Sequence, residues 1–191
     1  MGLVAERLSQ LEKPPEHVYH RGANIEKIDL QHSVAIVGSR KVSEEGATAA
    51  FAMGRKMAEE GRVVVSGLAL GIDSAAFEGC LSGGGVCIAV LPSGVDIVTP
   101  PSNQGLADRI MKGGGAMISE WPDGMHPMRH TFILRNRLIA ALADTVILGE
   151  ARPDGGAWHT VRAAWELGRE TLRLEHDGGT SSLQDPQRKL F

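Results

Sequence analysis

The sequence predicts an α/β protein with a doubly wound, mostly parallel sheet and helices on both faces. Short runs of β-branched and aliphatic residues alternate with stretches of helical periodicity along the chain, the pattern of a sheet buried on both sides. Two of these runs share a glycine-turn grammar, Val34-Ala35-Ile36-Val37-Gly38-Ser39-Arg40 and Val63-Val64-Val65-Ser66-Gly67-Leu68-Ala69. In each, glycine lets the backbone turn sharply where a side chain would clash. The first turn feeds a helix whose free N–H groups and positive dipole end point into the crevice above the sheet, where such folds hold phosphate.

The elements follow in order. Residues 1–33 are mostly polar, and Pro14-Pro15 and Gly22 break any long helix, so this segment is expected to pack on the domain edge. The domain proper covers 34–175. Strand 34–37 leads to a helix over 43–60, capped by Ser43, begun by Glu44 and Glu45, and stopped by Gly61. Strand 63–65 passes through Gly67-Leu68-Ala69-Leu70-Gly71-Ile72-Asp73 into a helix ending near Ser82. Strand 86–91 precedes Pro92-Ser93-Gly94-Val95-Asp96 and a helix near 103–112. Strand 116–119 ends in Glu120. A loop then runs to Phe132, and a helix of 135–143 carries Leu138, Ile139 and Leu142. Strand 145–149 ends at Glu150, and the loop 152–156 opens a helix bearing Trp158, Val161 and Trp165. Strand 171–174 closes the sheet. The tail 176–191, rich in Gly, Ser, Asp and Gln, is expected to be loose.

Bulk properties narrow the function. With 191 residues and 42% apolar content, the chain suits one domain with a sizeable core. No stretch approaches the ~20 apolar residues of a membrane span, and the polar N-terminus has no secretory signal. Cys80 and Cys87 sit in apolar surroundings without metal-ligand spacing, so a reduced, cytoplasmic protein with no metal or cofactor is expected. Net charge is −3, so any nucleic-acid binding needs local positive charge.

Three constellations carry candidate chemistry. Gly38-Ser39-Arg40 offers backbone N–H groups and a bidentate guanidinium to an anion; a tight turn with a solvated arginine is the alternative. In the Gly67–Asp73 loop, Asp73 reads as a helix cap, while the Gly67 backbone faces a ligand. The third is the most specific: His126, Arg129, His130, Phe132, Arg135, Asn136 and Arg137 lie within twelve residues. A single-strand binder needs guanidinium groups for phosphates and a ring for base stacking. Arginines at a helix start oppose its dipole, and a bound anion would explain them. Asp73, Asp96, Glu120 and Glu150 each follow a strand and read as caps and arginine partners, or as acid–base groups of a nucleotide hydrolase. Trp158, Val161 and Trp165 read as a core stripe, or as a partner-facing patch.

Together these motifs resemble the DprA/Smf family, the DNA-processing proteins of bacterial transformation. The markers are 34–40, Val65-Ser66-Gly67-Leu68-Ala69-Leu70-Gly71-Ile72-Asp73 and Ile88-Ala89-Val90-Leu91-Pro92-Ser93-Gly94-Val95-Asp96. Further on come Ile118-Ser119-Glu120, the run from Phe132 to Arg137, and Gly149-Glu150-Ala151. The resemblance implies an extended Rossmann-like fold that binds single-stranded DNA, helps load the recombinase RecA, and forms a homodimer. It places Arg40, Arg129 and Arg137 on phosphates, with Arg135 in the same cluster, and Phe132 on a base. Gly38, Ser39 and Gly67 would allow close backbone approach, and Arg162 and Trp165 would lie in the dimer contact. The family's Ser-Gly before the last helix is Gly155-Gly156 here. Two rival readings use the same crevice: a nucleotide hydrolase relying on Glu120 or Glu150, and a module that only senses a mononucleotide.

Overall fold

A computed structural model describes residues 2–186. Their strands form one eight-stranded sheet. In chain order the elements are α1 (Leu3–Leu8), β1 (Tyr19–Gly22), β2 (Val34–Val37), α2 (Glu44–Glu59), β3 (Val64–Ser66), α3 (Ile72–Ser82), β4 (Cys87–Val90), α4 (Gln104–Lys112), β5 (Ala116–Ser119), α5 (Arg129–Leu142), β6 (Thr145–Leu148), α6 (Ala157–Glu166), β7 (Glu170–Leu174) and β8 (Thr180–Ser182). Strand order is β1-β5-β4-β3-β2-β6-β7-β8. The six inner strands run parallel, with Val34 opposite Val64 on one side and opposite Thr145 on the other. The doubly wound, mostly parallel sheet is as the sequence predicts.

Strands β2 to β6 are buried throughout, which is why their sequences are continuous apolar runs rather than alternations. Helices α1, α5 and α6 cover one face, where Leu138, Leu142 and Val161 meet Ala35, Val65 and Val146. Helices α2, α3 and α4 cover the other, where Phe77, Met53 and Ile110 meet Ile36, Val64 and Ala89. Chain direction across the sheet reverses between β2 and β6. Above the carboxyl ends of those two strands lies the crevice that such a topology opens.

Both sheet edges are antiparallel, and both come from segments outside the alternating pattern. β1 pairs with β5, Tyr19 opposite Ser119. Buried Arg7 ties the N-terminal segment down further, donating to the Leu30 carbonyl at 2.8 Å and to Asp144 at 2.9 Å. The tail departs from its expected looseness: β8 pairs with β7, Leu174 opposite Thr180. Residues 187–191 of that tail lie outside the described residues.

The largest departure is the start of α5, six residues earlier than 135. Thr131, fully buried, supplies the cap from inside the helix: its hydroxyl accepts the Met128 N–H at 3.0 Å and donates to the Met128 carbonyl at 2.8 Å. No Ser, Asp or Asn precedes the helix to announce it.

Helices α2 and α3 cross at glycines. A Cβ at Gly54 would overlap the Ala76 carbonyl, and one at Gly79 would overlap the Phe51 carbonyl. Gly54→Ala or Gly79→Ala should therefore lower stability by about 1–3 kcal/mol in denaturant titration, overpacking outweighing alanine's better helix propensity. Gly105 in α4 has nothing near its Cβ position, so Gly105→Ala should raise stability by about 0.5–1 kcal/mol.

Candidate functional site

A cavity of about 480 Å³ fills the crevice above β2 and β6. Its walls are the Gly38–Lys41 turn, the face of α5 bearing Phe132 and Asn136, and the turn into α6. Ser39 shapes the first wall from within. Its N–H donates to the Glu150 carbonyl at 2.7 Å, and its hydroxyl donates to the Lys41 carbonyl at 2.6 Å. The Ser39 carbonyl accepts the Ile72 N–H, and any Cβ on Gly71 (φ +78°) would overlap it. This turn delivers Arg40 to α5, where its guanidinium carbon lies 5.0 Å from the centroid of the Phe132 ring. Arg40 and the neighbouring Lys41 are exposed and have no acidic partner among the described residues. Two residues singled out separately in the sequence thus form one cation–π pair at the cavity wall.

Arg135 departs from its expected role. It is 5% exposed, and its guanidinium is used internally: Nη1 donates to the Gly67 carbonyl at 2.7 Å and to the Val90 carbonyl, while Nε donates to Asn136 Oδ1 at 3.2 Å. Gly67 is correspondingly a receptor for this side chain rather than an approach for a ligand. A Cβ there would stand 2.5 Å from the guanidinium. Asp73, equally buried, is not its helix's cap, a position held by Gly71. Its carboxylate accepts the Gly67 N–H at 3.0 Å and braces the loop that receives Arg135. Burial pushes the Asp73 carboxyl up from its ordinary value, against the opposing pull of Arg135. Burial likewise pushes Arg135 down to about 10; the Arg40 charge adds to this while Asp73 opposes it. Two guanidinium groups therefore repel one another at this cavity, and a bound anion would relieve them.

The remaining arginines do not join these two. Arg137 points to another side of α5, as residues two apart on a helix must, and its Nη2 donates to Glu120 at 2.6 Å. Arg129, the first residue of α5, is exposed and outside the cavity lining. Lys41 and Arg152 line it instead; the signal missed in the sequence was their position beside glycine turns. Sequence reasoning also passed over Asn103. Its buried amide donates to the carbonyl of Leu68 at 2.8 Å, holding a non-glycine residue at φ +57° in the loop beneath the cavity.

The start of α2 is closed to a ligand. Ser43 caps it by accepting the Gly46 N–H at 3.0 Å, as predicted, but Glu150 occupies the same helix end. Glu150 Oε2 accepts from the Ser43 N–H at 2.7 Å and from its hydroxyl at 3.0 Å. Asp96 accepts the Gly124 N–H at 3.0 Å, so the four strand-end carboxylates hold four separate local partners and do not converge. No cluster that could hold a metal ion occurs among the described residues. Trp158 and Trp165 pack against the core with ring centroids 6.4 Å apart. Trp165 Nε1 donates to Thr171 at 2.8 Å, and Arg162 is exposed on the same helix.

The family described as DNA recombination-mediator protein A matches residues 4–188. The chain belongs to that family. Protein Smf of Synechocystis sp. is 36% identical over 173 residues, 87% of this chain and 42% of the relative. The crystal structure of DNA processing protein A from Streptococcus pneumoniae superposes with a TM-score of 0.80 at 33% identity, covering 97% of this chain and 64% of that one. DNA processing protein A from Helicobacter pylori, whose structure was described for its single-stranded DNA binding mode, gives 0.82 at 28% identity, covering 92% and 79%. The chain spans about half the length of the curated relatives it matches.

The internal role of Arg135 separates it experimentally from Arg40. Arg135→Leu leaves two buried carbonyls without their donor and the buried Asp73 carboxyl without its counter-charge, and should cost about 3–5 kcal/mol in denaturant titration. Arg40→Ala, at an exposed position, should stay within about 0.5 kcal/mol of the parent.

Proposed function

We propose that this chain binds single-stranded DNA without sequence preference, as a scaffold with no chemical step. The observation that carries the reading is Arg40 seated over Phe132 at the wall of an open cavity. A guanidinium beside an aromatic ring is what a strand requires, one group for phosphate and the other for a base. Arg40 and Lys41 supply local positive charge in a chain whose net charge is −3, and Arg152, paired with Asp154 at 3.8 Å, lines the same cavity. Arg129 extends that charge along the exposed start of α5. The single-stranded DNA binding mode described for the Helicobacter pylori relative supports the same ligand here.

The family description, a recombination mediator, supports delivery of the bound strand to a RecA-type recombinase in the cytoplasm. A second copy would dock through α6, with Arg162 exposed and Trp165 half-buried on its outer side. Glu120 and Glu150 hold Arg137 and the start of α2, and these assignments give each carboxylate a structural task.

Two variants test the clamp with labelled oligo(dT) across a salt series. Arg40→Ala should weaken binding and reduce the slope of log affinity against log salt by about 0.7, one phosphate contact on a single strand. Phe132→Ala should cost about 1–3 kcal/mol and leave that slope unchanged. Unaltered affinity in both folded variants would refute the clamp.

A further inference from the structure

We propose that bound DNA leaves the cavity across the outer face of α5, where Ile133 and Leu134 meet the bases beyond Phe132 and Arg129 holds a phosphate; this rests on the cavity's reading as a single-strand site. Among the described residues, five large apolar side chains are exposed: Phe51, Leu70, Met128, Ile133 and Leu134. Three of these fall within residues 128–134, at the start of α5. Leu70 stands close by in the chain's own terms, one residue after Ala69 of the cavity lining. Exposed apolar residues scattered singly are ordinary, whereas several together beside one cavity mark an interaction surface.

The surface is continuous with the cavity. Ile133 belongs to both: it lines the cavity and is 46% exposed. Successive residues on a helix are turned by about 100°, so a chain crossing α5 from Phe132 meets Ile133 and then Leu134. Thr131 and Arg135 take the buried side of the same turns. Arg129 lies four residues before Ile133 and is therefore its neighbour along the helix, about 6 Å away in axial rise. A cation and an aliphatic side chain thus stand side by side immediately outside the Phe132 ring.

Charge decides the occupant. No Asp or Glu occurs from Met125 through Ala143, although the chain holds 23 of them. His126, Arg129 and His130 are exposed in that stretch. Arg129 has no acidic partner among the described residues, whereas Arg137, four residues past Ile133, is already held by Glu120 at 2.6 Å. The positive end of the helix dipole adds to this field, and no acidic residue stands in the first turn to offset it. A second copy docking by the same face would set these cations against their own like in a two-fold contact. A single strand instead offers phosphate to Arg129 and unstacked base faces to the aliphatic side chains.

The test separates base contacts outside the cavity from the one at Phe132. Labelled d(T)8 is compared, on the full chain, with an octamer in which abasic residues flank one central thymine. Ile133→Ala/Leu134→Ala should weaken d(T)8 binding roughly fivefold and the single-base octamer less than about twofold, with the salt dependence kept. Arg129→Ala should weaken both ligands and lower the slope of log affinity against log salt by about 0.7. A cooperative thermal transition verifies that each variant is folded. Equal losses on the two octamers, or none, in the folded double variant overturn the surface; a loss in Arg40→Ala measured alongside leaves the single-strand reading standing. A change in sedimentation mass of the free double variant, with d(T)8 affinity unaltered, would assign this face to a second copy and likewise overturn the proposal.

Discussion

The seating of Arg135 against the carboxyl ends of β3 and β4 fixes the geometry of everything above the sheet. Its guanidinium spans the Gly67 and Val90 carbonyls and faces Asp73, which in turn holds the Gly67 N–H. A buried charge is tolerable only when its donors and counter-charge are this fully used. Because Arg135 is anchored, α5 has a fixed rotation. Phe132 and Asn136, one turn before it and one residue after it, are thereby aimed at the cavity. The loop beneath is equally determined, with Leu68 at positive φ and its carbonyl held by Asn103.

On this base, the protein distributes its charges by satisfying some helix ends internally and leaving others open. Glu150 neutralises the start of α2, and Glu120 takes Arg137. Arg40 and Lys41 have no such partner and line the cavity. A modestly acidic chain can in this way present a locally positive groove, because exposed interactions beyond about 10 Å are largely screened at ordinary ionic strength. At Arg135 the Asp73 charge opposes that of Arg40, so the inner guanidinium is held by its own counter-charge while Arg40 stays free at the cavity.

Much of this was legible in the chain. The apolar runs at 34–37, 116–119 and 145–149 read directly as strands because buried parallel strands admit little else, and Ser43 announced α2 by its capping chemistry. The pairing of Arg40 with Phe132 was half visible, since each residue was suspicious alone. Arg135 and Arg137 were misjudged together. Placing the helix start at 135 left both free to hold phosphate, whereas a helix begun at Arg129 puts one in the core and the other beside Glu120. The hidden signal was Thr131, acting as a cap from the third helical position. The edge strands β1 and β8 were equally hard to see: each rests on pairing with a distant strand and carries few apolar side chains of its own.

By itself, the sequence determined the order of strands and helices, the glycine turns, and the kinds of residue available to meet an anion. These follow from local physics: side-chain periodicity, caps, and the positions only glycine can occupy. Tertiary structure alone decided which arginine is spent inside and which helix start is filled by an acid. Those outcomes depend on contacts between segments far apart in the chain, such as Gly67 with Arg135, Ser43 with Glu150, and Asn136 with Gly156. No window of sequence contains both partners, so the competition for each charge is settled only when the sheet brings them together.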